Sequence, residues 1–137
     1  MDIEKDQISE EDIERIMQHP LTIIGTDGAK ISQMPRGIGT YPRVLGRYVR
    51  EKNVLSLEEA IRKMTLLPAE KIGLKNKGII KEGYDADLVI FDPNTIIDTA
   101  DFTDTKGKNK GIKYVLINGN IALKDDKYLG TPYGTII

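Results

Sequence analysis

Cysteine is absent from the 137-residue sequence, and histidine occurs once, as His19. The first absence excludes disulfides and thiolate metal sites. The second is nearly as restrictive. A catalytic zinc takes three protein ligands, drawn mainly from His, Cys and carboxylates, and one His cannot furnish the imidazoles of a usual hydrolase centre. Long apolar runs are missing too, so no bilayer span is expected, and the acidic N-terminus does not read as a secretion signal. Neither sign of charge prevails. Twenty Lys and Arg stand against 21 Asp and Glu, a net charge of −1, which gives no ground for binding nucleic acid or an anionic membrane. The expectation is a soluble, cytoplasmic globular chain of one-domain size.

What is present reads as helices followed by a small β unit. Ser9, with Asp12 three residues on, caps a first helix; Ile13, Ile16 and Met17 share one face, and His19-Pro20 ends it. Residues 21–24, Leu-Thr-Ile-Ile, form an apolar run without alternation, the pattern of a strand buried on both faces as in an α/β barrel. Residues 29–39 read as a loop. Thr40 is expected to cap a second helix, with Pro42 near its first position. Ser56 and Glu59 form a capping box for a third, supported by the four-apart pairs Glu58–Arg62 and Glu59–Lys63. Pro68 can start a further turn that Gly73 closes. Strands follow over 78–80, 86–91, 112–117 and 120–123; the last two flank Asn118-Gly119, a type I′ hairpin signal. The tail, with Gly130, Pro132 and Gly134, is expected to be loosely ordered.

Asp27 is the main candidate for chemistry, because it follows directly on the buried run, where barrel enzymes project catalytic side chains. Local sequence equally allows, and by turn preference favours, a plain Asp-Gly turn. The Gly25–Lys30 stretch lacks the spacing of a phosphate loop. His19 precedes the run and belongs at its opposite end, a structural placement. Lys106, Lys108, Lys110 and Lys113 lack interleaved aromatics and read as a solvated loop. Arg36 and Arg43 flank the loop beyond Asp27, and either can grip a carboxylate bidentately or simply be solvated.

Several segments, in the same order, resemble the C-terminal region of the N-acyl-D-amino-acid deacylases (D-aminoacylases) of the amidohydrolase superfamily. The stretch from His19 to Thr26-Asp27-Gly28 resembles that family's last barrel strand. Gly39-Thr40-Tyr41-Pro42-Arg43 is similar to its Gly-Thr-Phe-Pro-Arg segment, and residues 56–65 to its next helix. Gly83-Tyr84-Asp85-Ala86-Asp87-Leu88-Val89 resembles a superfamily-wide signature, and Asn118-Gly119 its closing hairpin. The similarity runs from about residue 8 to the end.

The resemblance implies an α+β piece of a larger fold. Residues 1–75 would be the last strand and following helices of a (β/α)8 barrel, and 76–137 the C-terminal strands of a small β-sandwich. It implies zinc-dependent hydrolysis of N-acyl-D-amino acids in the parent enzyme, with Asp27 taking the nucleophile's proton and touching a second metal; Arg36 and Arg43, from their place beside the loop, are the candidates to meet the substrate. Two departures limit it. The family's His and Cys ligands lie on strands absent here, so this chain alone is expected to hold no zinc stably and to be inactive. Where relatives read His-Pro-Arg, this chain reads Met34-Pro35-Arg36. The alternative reading is a non-catalytic interaction or structural module, self-associating or serving as the partner half of a split enzyme. An autonomous hydrolase built on Asp27 with a carboxylate-bound metal is disfavoured by the lack of clustered acidic ligands.

Overall fold

A computed structural model describes residues 8–28, 34–101, 103–104, 107–125 and 127–134. Helix α1 (Glu10–Gln18) begins where Ser9 Oγ accepts the Asp12 N–H at 3.1 Å, with three acidic residues in its first turn, and stops at His19. Residues 21–24 leave the turn that Thr22 N–H closes on the His19 carbonyl and pair with no strand among the described residues. Leu21 is 67% exposed, and of the run only Ile24 is buried. The expected doubly buried strand is therefore not formed: an apolar run signals burial, but a strand also needs a neighbour to receive its N–H and C=O groups.

The second helix also departs from expectation. Helix α2 (Arg36–Arg43) starts four residues before Thr40, and Pro42 lies inside it. Thr40 does not cap; its hydroxyl donates to the Arg36 carbonyl. An interior proline deprives the carbonyl four residues back of its donor. That carbonyl, Ile38 O, accepts the Asn109 side-chain amide at 2.9 Å instead. The chain continues as a π-helical stretch, Val44–Glu51, in which Lys52 N–H reaches back five residues to Arg47 O.

Helix α3 (Leu57–Met64) opens at Ser56, whose Oγ accepts the Glu59 N–H, as the capping box implies. Glu59 pairs with Arg62 at 2.8 Å and stands 3.6 Å from Lys63, while the expected Glu58–Arg62 pair is not made. Helix α4 (Leu66–Ile72) ends at left-handed Gly73. The core joins Met17, Ile24, Val44, Leu45, Tyr48, Leu55, Ala60 and Ile96.

Residues 78–80 form no strand. Gly78, at φ +85°, turns tightly against Thr65 and Leu66 at the start of α4. Four strands follow, β1 (Leu88–Phe91), β2 (Ile112–Ile117), β3 (Asn120–Lys124) and β4 (Lys127–Tyr128), in one antiparallel sheet of order β1-β2-β3-β4. Asn118 and Gly119, both at positive φ, make the expected two-residue turn with Ile117 opposite Asn120. Part of the tail is tied down, because Asn118 Nδ2 donates to the Tyr133 carbonyl. Among the described residues no helix is long and apolar enough to cross a membrane.

Candidate functional site

Asp27 stands three residues beyond the core residue Ile24, at φ +47°. A left-handed conformation is one that Asp tolerates better than most side chains, and it turns the chain just beyond the apolar run. Thr26 Oγ1 accepts the Gly28 N–H, tightening the turn, and Gly28 lies so close to the Gly37 carbonyl that a Cβ there would be 3.0 Å from it. The Asp27 carboxylate is 80% exposed and, among the described residues, meets one side chain, with Arg36 Nη2 donating to Oδ2 at 2.7 Å. Two of the residues singled out from sequence thus meet; residues 29–33 between them lie outside the described residues.

The third, Arg43, faces elsewhere. Its Nε and Nη2 both reach Asp98 Oδ2, at 2.8 and 2.7 Å. The Asp98 side chain is only 6% exposed. That hydrogen bond holds the Arg43 guanidinium above its ordinary pKa. Gly39, one turn earlier on α2, makes room: a Cβ there would meet the Asp98 side chain at 3.0 Å. Arg36, Arg43 and Asp98 border a cleft of about 480 Å³ floored by Met17, Ile24, Val44 and Tyr48. Asp27 is joined to this cleft through Arg36.

Asp98 carries no signal in the sequence; it sits in a stretch without periodicity and reaches α2 over 55 residues of separation. Lys63 did carry one, unused: it falls three residues after Ala60 and four before Leu67, on the buried stripe of α3 and α4, and is fully buried. His19 is structural, as expected, with Nδ1 accepting the Leu21 N–H beyond the end of α1. Lys108, Lys110 and Lys113 are exposed, and Lys106 lies outside the described residues. Among the described residues, no three His, Cys, Asp or Glu side chains converge to hold a metal. The superfamily-type signature has a structural task. Asp87 accepts the Asn118 N–H at 2.9 Å and the Lys77 ammonium at 2.5 Å, fastening the start of β1 to the hairpin turn.

Residues 6–123 match the Amidohydrolase family. The chain is 46% identical over 110 residues to N-acyl-D-aspartate deacylase of Alcaligenes xylosoxydans xylosoxydans, an alignment covering 79% of this chain and 22% of that protein. It is 39% identical over 132 residues to D-aminoacylase of the same organism, covering 95% and 27%. Its backbone superposes on the crystal structure of a D-aminoacylase with a TM-score of 0.87 at 41% identity, covering 90% of this chain and 27% of that one. It also superposes on N-acyl-D-glutamate deacylase from Bordetella bronchiseptica, solved with zinc and a phosphonate mimic of the tetrahedral intermediate. There the TM-score is 0.80 at 39% identity, covering 88% and 26%. The chain spans about a quarter of the length of these relatives.

Proposed function

This chain belongs to the amidohydrolase family, and on that premise we propose that it is the C-terminal part of a metal-dependent hydrolase cleaving the amide bond of N-acyl-D-amino acids. The observation that carries the reading is the superposition on D-aminoacylase over nine-tenths of this chain at 41% identity. We assign three residues to the site. Asp27 has Oδ2 held by Arg36, while Oδ1 is without a partner among the described residues and is open to receive the proton of an attacking water. Arg36 and Arg43 border the cleft, and each keeps guanidinium N–H groups able to pair with the carboxylate that every N-acyl-amino acid carries.

The residues present do not fit a metal site by themselves. One carboxylate facing an arginine is not a ligand set, and no further donor converges on it among the described residues. We therefore assign zinc binding in the complete enzyme to residues of earlier strands, and this chain alone to an inactive state.

A chimera tests this reading. The chain replaces the matching quarter of the Alcaligenes D-aminoacylase, and hydrolysis of N-acyl-D-amino acids is assayed with zinc. Turnover is expected, along with a fall of about 10²–10⁴-fold in Asp27→Asn, the usual worth of a positioned proton acceptor. A second reading is favoured by the chain's own core and sheet and by the lack of a ligand cluster among the described residues: a structural module that pairs with a separately made catalytic half. A chimera that folds and binds zinc but does not turn over would favour it.

A further inference from the structure

The proposed chemistry leaves a fully buried ammonium unused, that of Lys63. Lys63 lies in the last turn of α3 with none of its surface exposed. A lysine at the edge of a core usually extends its ammonium to water, and this one does not. Its Nζ donates to the carbonyl of His19 at 2.5 Å and to that of Thr22 at 3.3 Å, with the Glu59 carboxylate 3.6 Å away. Its own backbone carbonyl accepts the Ile24 N–H at 3.2 Å. The neighbouring Arg62 donates to the carbonyl of Pro20 at 3.3 Å.

Four successive links thus run from two adjacent residues of α3 to residues 19, 20, 22 and 24. In a sheet, a segment like this would be held by neighbouring strands; here side chains of a helix answer its carbonyls. Gly25, Thr26 and Asp27 have no backbone hydrogen bond to other described residues. The direction in which Asp27 leaves the core is therefore set by the anchored run before it and by Arg36.

A buried ammonium is costly unless fully engaged, and an aliphatic side chain of the same length would fill the space more cheaply. What the ammonium supplies and an alkyl chain cannot is a directional hold on two carbonyls at once. We propose that Lys63 is a positioning residue: it fixes the path of residues 19–24 and so aims Asp27 and its pairing with Arg36. The value of that aim rests on the assignment of Asp27 above, but the hold itself is read independently of any turnover.

The test uses the 137-residue chain, isotope-labelled, with Lys63→Met and Lys63→Arg. Amide exchange of Ile24 is expected to quicken about tenfold or more in Lys63→Met, the loss of a charge-assisted hold on a local segment. The Asp27 carboxyl carbon shift should move with it, while amides of the hairpin Ile112–Lys124 stay at wild-type rates. Lys63→Arg should return Ile24 close to the wild-type rate. An unchanged Ile24 and Asp27 would overturn the proposal, as would exchange rising equally in Ile24 and the hairpin, which marks general destabilisation. If Lys63→Met does not fold, Glu59→Gln is read the same way. Changes confined to residues 19–27 support the proposal, and none, or changes throughout, overturn it. Failure of the Asp27→Asn chimera would leave these readings intact, so the two claims fall separately.

Discussion

Gly46 shows how closely the two halves of the chain are joined. A Cβ there would lie under 3.0 Å from the Ile96 carbonyl and the Ile97 side chain, on the buried face of the π-helical stretch. The segment it meets is held on both sides, by Arg50 donating to Ile96 O at 2.6 Å and by Asp98 accepting Arg43. Backbone held in that way cannot yield to an added methyl group. Gly46→Ala is therefore expected to lose about 1–3 kcal/mol of stability, the usual cost of overpacking. A thermal or urea melt of the variant beside wild type measures it, and equal midpoints would show that the join is loose. The same join decides what Arg43 can do. With Asp98 nearly enclosed beside it, its guanidinium is a fixed feature of the cleft wall, whereas Arg36 reaches out on the exposed side to Asp27.

Among the elements, the hairpin is the most self-contained, and its fastening is electrostatic. Lys77, and after it the Asn118 N–H, hold the Asp87 carboxyl below its ordinary pKa. A group depressed on folding stabilises fully above its unfolded value, about 3.9 for Asp, and stops doing so as pH falls through the folded value. The Asn118 and Gly119 amides should thus keep their shifts down to about pH 4 and lose them below it. In Asp87→Asn, that acid step should disappear from an NMR titration of the same amides; a step of the same size would assign it to another carboxylate. The hairpin was also the element most readable in the sequence, because Asn118-Gly119 supplies its positive φ angles locally. The caps at Ser9, Ser56 and Gly73 were readable for the same reason. What failed depended on distant partners. Pro42 can sit inside α2 because Asn109, far along the chain, answers Ile38 O. Residues 21–24 carry the composition of a buried strand but find a helix beside them rather than a sheet. The candidate site divides along the same line: Asp27 and Arg36 could be singled out from their places in the sequence, whereas the contacts of Asp98 and Lys63 are made only in space.

At the scale of the whole molecule, the exposed apolar surface is the feature least suited to an isolated chain. Leu21, Ile80, Val89 and Ile90 are each half or more exposed, Ile80 to 88%. Scattered apolar side chains are ordinary on a surface, but here two lie on the edge strand β1 and another on the apolar run before Asp27. The D-aminoacylase that superposes on this chain is more than three times its length. Surfaces bare in the isolated chain are therefore expected to find cover, and in the absence of other polypeptide the available cover is a second copy. Sedimentation velocity should show the weight-average coefficient rising with concentration. Leu21→Lys combined with Ile90→Lys should suppress that rise and leave the melting midpoint nearly unchanged, since exposed substitutions usually alter stability by no more than about 0.5 kcal/mol. In the chimera with D-aminoacylase, the same pair of lysines should instead lower stability and turnover, because there the faces would be covered by the rest of the enzyme. A chain that stays monomeric at all concentrations, with a chimera indifferent to both lysines, would mean that these faces are finished surfaces and that the fold is complete as it stands.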